Sequence, residues 1–133
     1  MKRDAVSKFI TGSTAYVYPE KLVTAPPDIR PDKKEIGPVT VTFVDRDLGE
    51  VHTADGRLFV LENYFGEDVA YGGYMLVHRT SAAALPDRML FPDEAAIKNV
   101  VRHGFVANAL RHVEWDRIPA SELAKIYRIV KKY

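Results

Sequence analysis

The sequence predicts an α+β domain with a small antiparallel β-sheet or partly open barrel of about three to five strands, a C-terminal helical layer and an extended Pro-rich N-terminal arm. Three observations carry this. From Val39 onward apolar and polar residues alternate with a period of two, and Asp55-Gly56 sits between two strand-like runs as a hairpin signal. Near the C-terminus Leu123, Ile126, Tyr127 and Val130 recur at helical spacing. Proline crowds the front: Pro19, Pro26, Pro27, Pro31 and Pro38 are five of the eight in the chain.

The 133 residues suit a single core, and 47% hydrophobic with 28% charged residues is a globular balance. That composition excludes a disordered chain, a collagen or a heptad rod. There is no cysteine, which removes disulfides, thiolate metal sites and cysteine nucleophiles. No apolar run approaches the roughly 20 residues of a membrane span, and no signal-peptide core follows Met1-Lys2-Arg3-Asp4. The expectation is a soluble protein, intracellular or virion-associated, with no membrane contact and no cofactor.

Residues 1–38 are read as the arm and connector, and 39–133 as one domain. In the arm, Thr14-Ala15-Tyr16-Val17-Tyr18 is β-branched and aromatic and ends at Pro19, which suits an edge strand or a strand lent to another sheet. Residues 25–38 form a non-helical spacer because each proline fixes φ and pushes its predecessor to extended backbone. Val39, Val41 and Phe43 alternate with Thr40, Thr42 and Val44 as the first strand of a meander at 39–79. Asp45-Arg46-Asp47-Leu48-Gly49 is a turn. A two-residue turn at Asp55-Gly56 pairs Thr53 with Leu58 and Val51 with Val60. Leu58-Phe59-Val60-Leu61 is apolar on both faces and is expected to be covered on both. Residues 63–74 are loop-rich, and strand returns at Tyr74–Arg79.

Helices occupy 92–133. Pro92-Asp93-Glu94 opens the first, with proline at the first helical position and carboxylates at the positive end of the dipole. Ile97, Val100 and Val101 make one stripe; Val106, Ala109, Leu110 and Val113 make another on roughly the opposite side. The phase change at Gly104 predicts two helices or a kink there. The last helix, beginning at Pro119 or Ser121, sets its apolar stripe against Lys125, Arg128, Lys131 and Lys132.

Charge is distributed unevenly. Lys+Arg against Asp+Glu runs 7 to 5 over 1–38, 2 to 7 over 39–78 and 10 to 6 over 79–133. An acidic middle thus precedes a basic end.

Local catalytic patterns are lacking. Asp45-x-Asp47-x-Gly49 opens like a calcium loop, but the sixth position is Glu50 and the twelfth Gly56, so it reads as a turn. His52, His78, His103 and His112 show no ligand spacing, and no metal is expected; His112 reads as a buried hydrogen-bonded imidazole. Ser7, Ser13, Ser81 and Ser121 occupy no nucleophile elbow.

What remains is a non-enzymatic assembly or interaction protein, by architectural analogy a small virus-particle or phage accessory component. Its arm would reach a neighbouring subunit or protein partner through Tyr16, Val17 and Tyr18 by strand addition, as a homo-oligomer or with another protein. Tyr64, Phe65, Tyr71 and Tyr74, among glycines, form a second candidate contact, which in one alternative inhibits a host factor as a monomer. The other alternative is a nucleic-acid-associated regulator using Lys125, Arg128, Lys131 and Lys132.

Overall fold

The computed structural model describes residues 2–63 and 74–133. The fold is α+β, and its sheet is a closed antiparallel barrel of six strands. They are β1 (Thr14–Pro19), β2 (Gly37–Asp45), β3 (Glu50–Thr53), β4 (Leu58–Asn63), β5 (Tyr74–His78) and β6 (Arg88–Phe91). Among the described residues four helices accompany them: α1 (Lys2–Ser7), α2 (Glu20–Thr24), α3 (Glu94–Arg111) and α4 (Ala120–Val130). Short 3₁₀ turns occur at Lys33–Glu35 and Trp115–Arg117.

The expected three to five strands and partly open barrel are therefore corrected to six strands and full closure. Two segments account for the difference. β6 is only four residues long and shows no alternation, because Leu90 faces the barrel interior while Met89 and Phe91 face a helix. The expected arm strand is β1, which pairs with β2 (Ala15 with Val39) and with β6 (Tyr16 with Phe91). Its apolar residues lie on both faces. Ala15 and Val17 point inward and Tyr18 outward, so the strand needs cover on both sides and finds it within its own chain.

The interior is filled by Ala15, Val17, Val41, Val51, Phe59, Leu61, Leu76 and Leu90, joined by Val6 of α1 and by Phe9. Small barrels pack their interiors with side chains, and here the N-terminal segment completes the filling. A second cluster lies outside β1, β5 and β6, where Tyr18, Met75, Val77, Met89 and Phe91 meet Val23 of α2 and Ile97, Val100 and Val101 of α3. Helices thus clad one half of the barrel. Among the described residues no helix covers the exterior of β2, β3 and β4, and Phe43, Leu58 and Val60 are exposed there. The expectation that the Leu58–Leu61 run is buried on both faces fails: only Phe59 and Leu61 are inside.

The β3–β4 register differs from the expected one by a residue. Thr53 N–H donates to the Arg57 carbonyl (3.1 Å) and Gly56 N–H to the Thr53 carbonyl (3.0 Å), with Gly56 at φ +82°. This is a three-residue loop closed by a left-handed glycine, so Val51 faces Phe59 and His52 faces Leu58. Phe59 is thereby placed inside.

Asp93 caps α3, its Oδ1 accepting from Ala96 N–H (2.8 Å), so Pro92 precedes the cap instead of opening the helix. α3 runs unbroken through Gly104, against the expected break. The glycine serves packing. A Cβ at position 104 would lie 3.0 Å from the Val23 carbonyl oxygen, so its absence lets α2 approach α3 closely.

Candidate interaction surface

The sequence-predicted contact residues separate into distinct environments. Val17 and Tyr18 are buried and Tyr16 is half-buried, all within the barrel wall. The Tyr18 hydroxyl accepts from Asp32 N–H (2.9 Å), tying the Pro-rich connector to β1. Burial pushes the phenol above its ordinary value, the Asp32 hydrogen bond opposes this, and the Asp32 and Glu35 charges reinforce it. These side chains hold their own domain together. Tyr74, half-buried at the start of β5, packs on the interior cluster and lines a cleft of about 610 Å³ with Phe9, Phe91, Ala96, Asn99 and Lys8. Tyr64, Phe65 and Tyr71 lie outside the described residues.

The four lysines and arginines proposed for nucleic acid are all exposed. Lys125 Nζ lies 3.3 Å from Glu122 Oε1, and Lys131 Nζ lies 6.0 Å from the centre of the Tyr127 ring. At about 100° per residue, Tyr127, Leu123, Val130 and Ile126 span one continuous arc of α4 with Lys131 beside Tyr127, and Ile129 follows beyond Glu122, with Lys125 on that flank. Leu123 and Ile126 are half-buried, whereas Tyr127 is 67% and Val130 60% exposed. The arc is apolar and largely open.

This opening extends beyond α4. From Arg102 to Tyr133 no residue is buried, although Val106, Leu110 and Trp115 add exposed apolar side chains to those of α4. The cause is geometric. α3 spends Ile97, Val100 and Val101 on the barrel, and its second stripe, on roughly the opposite side of the helix, joins no buried cluster. His112, expected to be buried, is exposed; its Nδ1 lies 2.8 Å from the Asn108 carbonyl.

The remaining polar constellations have structural occupations. Asp45 Oδ1 accepts from the N–H groups of Asp47 (3.1 Å) and Leu48 (3.0 Å), shaping the β2–β3 turn, and Gly49 there takes φ +71°. His78 Nδ1 sits 2.7 Å from Asp87 Oδ1, and Asp87 N–H donates to the His78 carbonyl (3.0 Å), pinning β5 to the start of β6. Arg79 makes a two-pronged contact with Glu62, at 3.0 and 2.7 Å. Ser13 Oγ donates to the Ile10 carbonyl. Among the described residues no three histidine or carboxylate side chains converge as metal ligands, and no helix is long and apolar enough to cross a membrane.

Sequence reasoning found the α4 stripe from its spacing but missed the bare face of β2–β4. The apolar run Leu58–Leu61 was its signal, and it read as a strand covered on both sides. The chain matches no protein-family model, no curated protein and no solved structure.

Proposed function

We propose that this chain is a non-enzymatic interaction and assembly protein whose contact element is its helical C-terminal end, the distal half of α3 together with α4. One observation carries the reading: an amphipathic helix with four apolar residues on one continuous arc, and Ile129 beyond Glu122 at its edge, stands at the end of a stretch, 102–133, that contains no buried residue. An isolated helix of 11 residues is marginal in water, because nucleation is costly and its stability comes from burying its apolar face. A partner that covers Tyr127, Ile129 and Val130 supplies that burial. The expected arm changes ends accordingly. β1 is hydrogen-bonded along both edges and offers no free strand for addition, whereas α4 offers an uncovered face.

Hydrogen exchange on the dilute, monomeric protein tests this reading. The amides of 120–130 are expected to exchange close to the unstructured rate while those of β1, β4 and β5 stay protected. A triple variant, Tyr127→Ser with Ile129→Ser and Val130→Ser, is expected to keep the melting midpoint and lose association. Protection of α4 equal to that of the barrel in a proven monomer overturns the reading.

Nucleic acid is the second reading, supported by Arg128 and Lys132, which have no carboxylate partner among the described residues. It requires an affinity that falls steeply with salt.

A further inference from the structure

The bare half of the barrel presents two exterior rows across β2, β3 and β4. In the first, Phe43 stands opposite His52 and His52 opposite Leu58; the Phe43 and His52 rings lie 5.6 Å apart, and Phe43 is 54% exposed. In the second, Asp45 stands opposite Glu50 and Glu50 opposite Val60. Leu48 and Asp47 project from the turn that joins β2 to β3, both exposed. The face is therefore apolar with an acidic border.

That border is unbalanced. Asp45 and Glu50 are like charges placed directly across a strand pair, an arrangement that costs stability unless a cation lies near. Neither has an ion-pair partner among the described residues, and nor does Asp47. Arg46, exposed in the same turn, leaves this border with three carboxylates to one guanidinium, still net acidic, so a ligand that brings apolar surface and positive charge together complements the face.

The same chain carries such an element. α4 has an apolar arc flanked by Lys125 and Lys131, in which Leu123 and Ile126 are half-buried and Tyr127 and Val130 are exposed, with Ile129 exposed at its edge. The mode of contact also has a precedent in the molecule, since α2 and α3 already pack flat on the exterior of β1, β5 and β6. Resting on the proposed assembly function, we infer that α4 of one copy docks on the exterior of β2, β3 and β4 of a second copy. Its apolar arc covers Phe43, Leu58 and Val60, and Lys125 and Lys131 neutralise Asp45, Asp47 and Glu50.

Donor and acceptor are different surfaces, so the contact is head to tail. It closes into a ring if the rotation between copies allows and otherwise extends as a chain. A single helix on a three-stranded face buries less than a standard interface of about 1,600 Å², which places the affinity of one contact in roughly the micromolar range or weaker. Attraction between the charged borders adds salt sensitivity.

Light scattering over a concentration series, with absorbance at two wavelengths to detect nucleic acid, provides the test. Wild-type protein is expected to grow in mass with concentration, and less so in high salt. An acceptor variant, Asp47→Lys with Glu50→Lys, and a donor variant, Lys125→Glu with Lys131→Glu, are each expected to weaken association about tenfold or more. Asp45 is left alone because it shapes the turn, and unchanged melting curves confirm that both variants fold. A mixture of the two variants is the decisive arm, because each then meets a complementary partner and association is expected to return. A wild-type chain that stays monomeric to about 1 mM overturns the inference. So does association that the acceptor variant leaves unchanged; if the triple serine variant of α4 abolishes that association, the assembly reading survives with a different receptor. Association seen only with nucleic acid, and lost only in the donor variant, overturns the inference in favour of the second reading.

Discussion

At position 104 two physical effects oppose each other. Replacing glycine by alanine within α3 gains about 1 kcal/mol of helix propensity. The new Cβ, however, stands 3.0 Å from the Val23 carbonyl oxygen, which is backbone and anchored by the fully buried Val23 side chain. Overpacking of this kind costs about 1–3 kcal/mol, so Gly104→Ala is expected to lower the urea midpoint despite the better helix former. An unchanged or raised midpoint would show that α2 moves aside freely. Asp87 poses a question of protonation. Burial raises the carboxyl, but the hydrogen bond and charge of His78, aided by Arg88, outweigh it and leave the group below the ordinary 3.8. A depressed folded value means the carboxylate stabilises the fold above the ordinary range, and that this contribution disappears as pH falls through the folded value. Wild-type protein is therefore expected to lose stability more steeply below about pH 4 than Asp87→Asn does, measured as urea midpoints between about pH 6 and pH 3.

At the scale of elements, local signals were legible and shared ones were not. α4 could be read from its spacing alone, and the β3–β4 hairpin from Asp55-Gly56, because each pattern is complete within a few residues. The hairpin register slipped by one because the choice between a two-residue and a three-residue loop rests on where Thr53 bonds, namely to Arg57. β6 escaped notice because a strand packed on both faces has no alternation, and its four residues lie between Pro86 and Pro92. α3 shows the same limit in reverse. Two stripes of opposite phase predicted a broken helix, on the premise that every stripe is buried within the chain. The helix is continuous, and only Ile97, Val100 and Val101 are covered by the barrel. The second stripe lies on the side of α3 roughly opposite the one that meets the barrel. The exposed basic residues of α4 were legible from sequence for the same local reason, whereas the receiving face on β2–β4 needed the barrel closed before its bare side could be distinguished.

The whole molecule turns on a pairing between segments far apart in sequence, β1 with β6, where Val17 meets Leu90 and Tyr18 meets Met89. Nothing local to either segment announces it, and the prolines between β1 and β2 made the front of the chain look detachable. The structure gives residues 1–24 a different weight. They supply Val6, Phe9, Ala15 and Val17 to the interior and Tyr18 and Val23 to the outer cluster, so both halves of the core depend on them. Burying one large apolar side chain contributes about 1.5–3 kcal/mol, and losing several exceeds the total stability of about 5–15 kcal/mol typical of a domain. Deleting residues 1–24 is therefore expected to abolish the cooperative melt and the near-ultraviolet circular dichroism, leaving the edges of β2 and β6 unpaired and prone to aggregation. Deleting residues 120–133 removes no buried side chain and is expected to keep both signals while losing self-association. The two truncations measured together locate the contact element. If the chain without its first 24 residues still melts cooperatively and only its association is lost, the N-terminal segment is an exchangeable arm after all, and the case for α4 as the docking element falls with it.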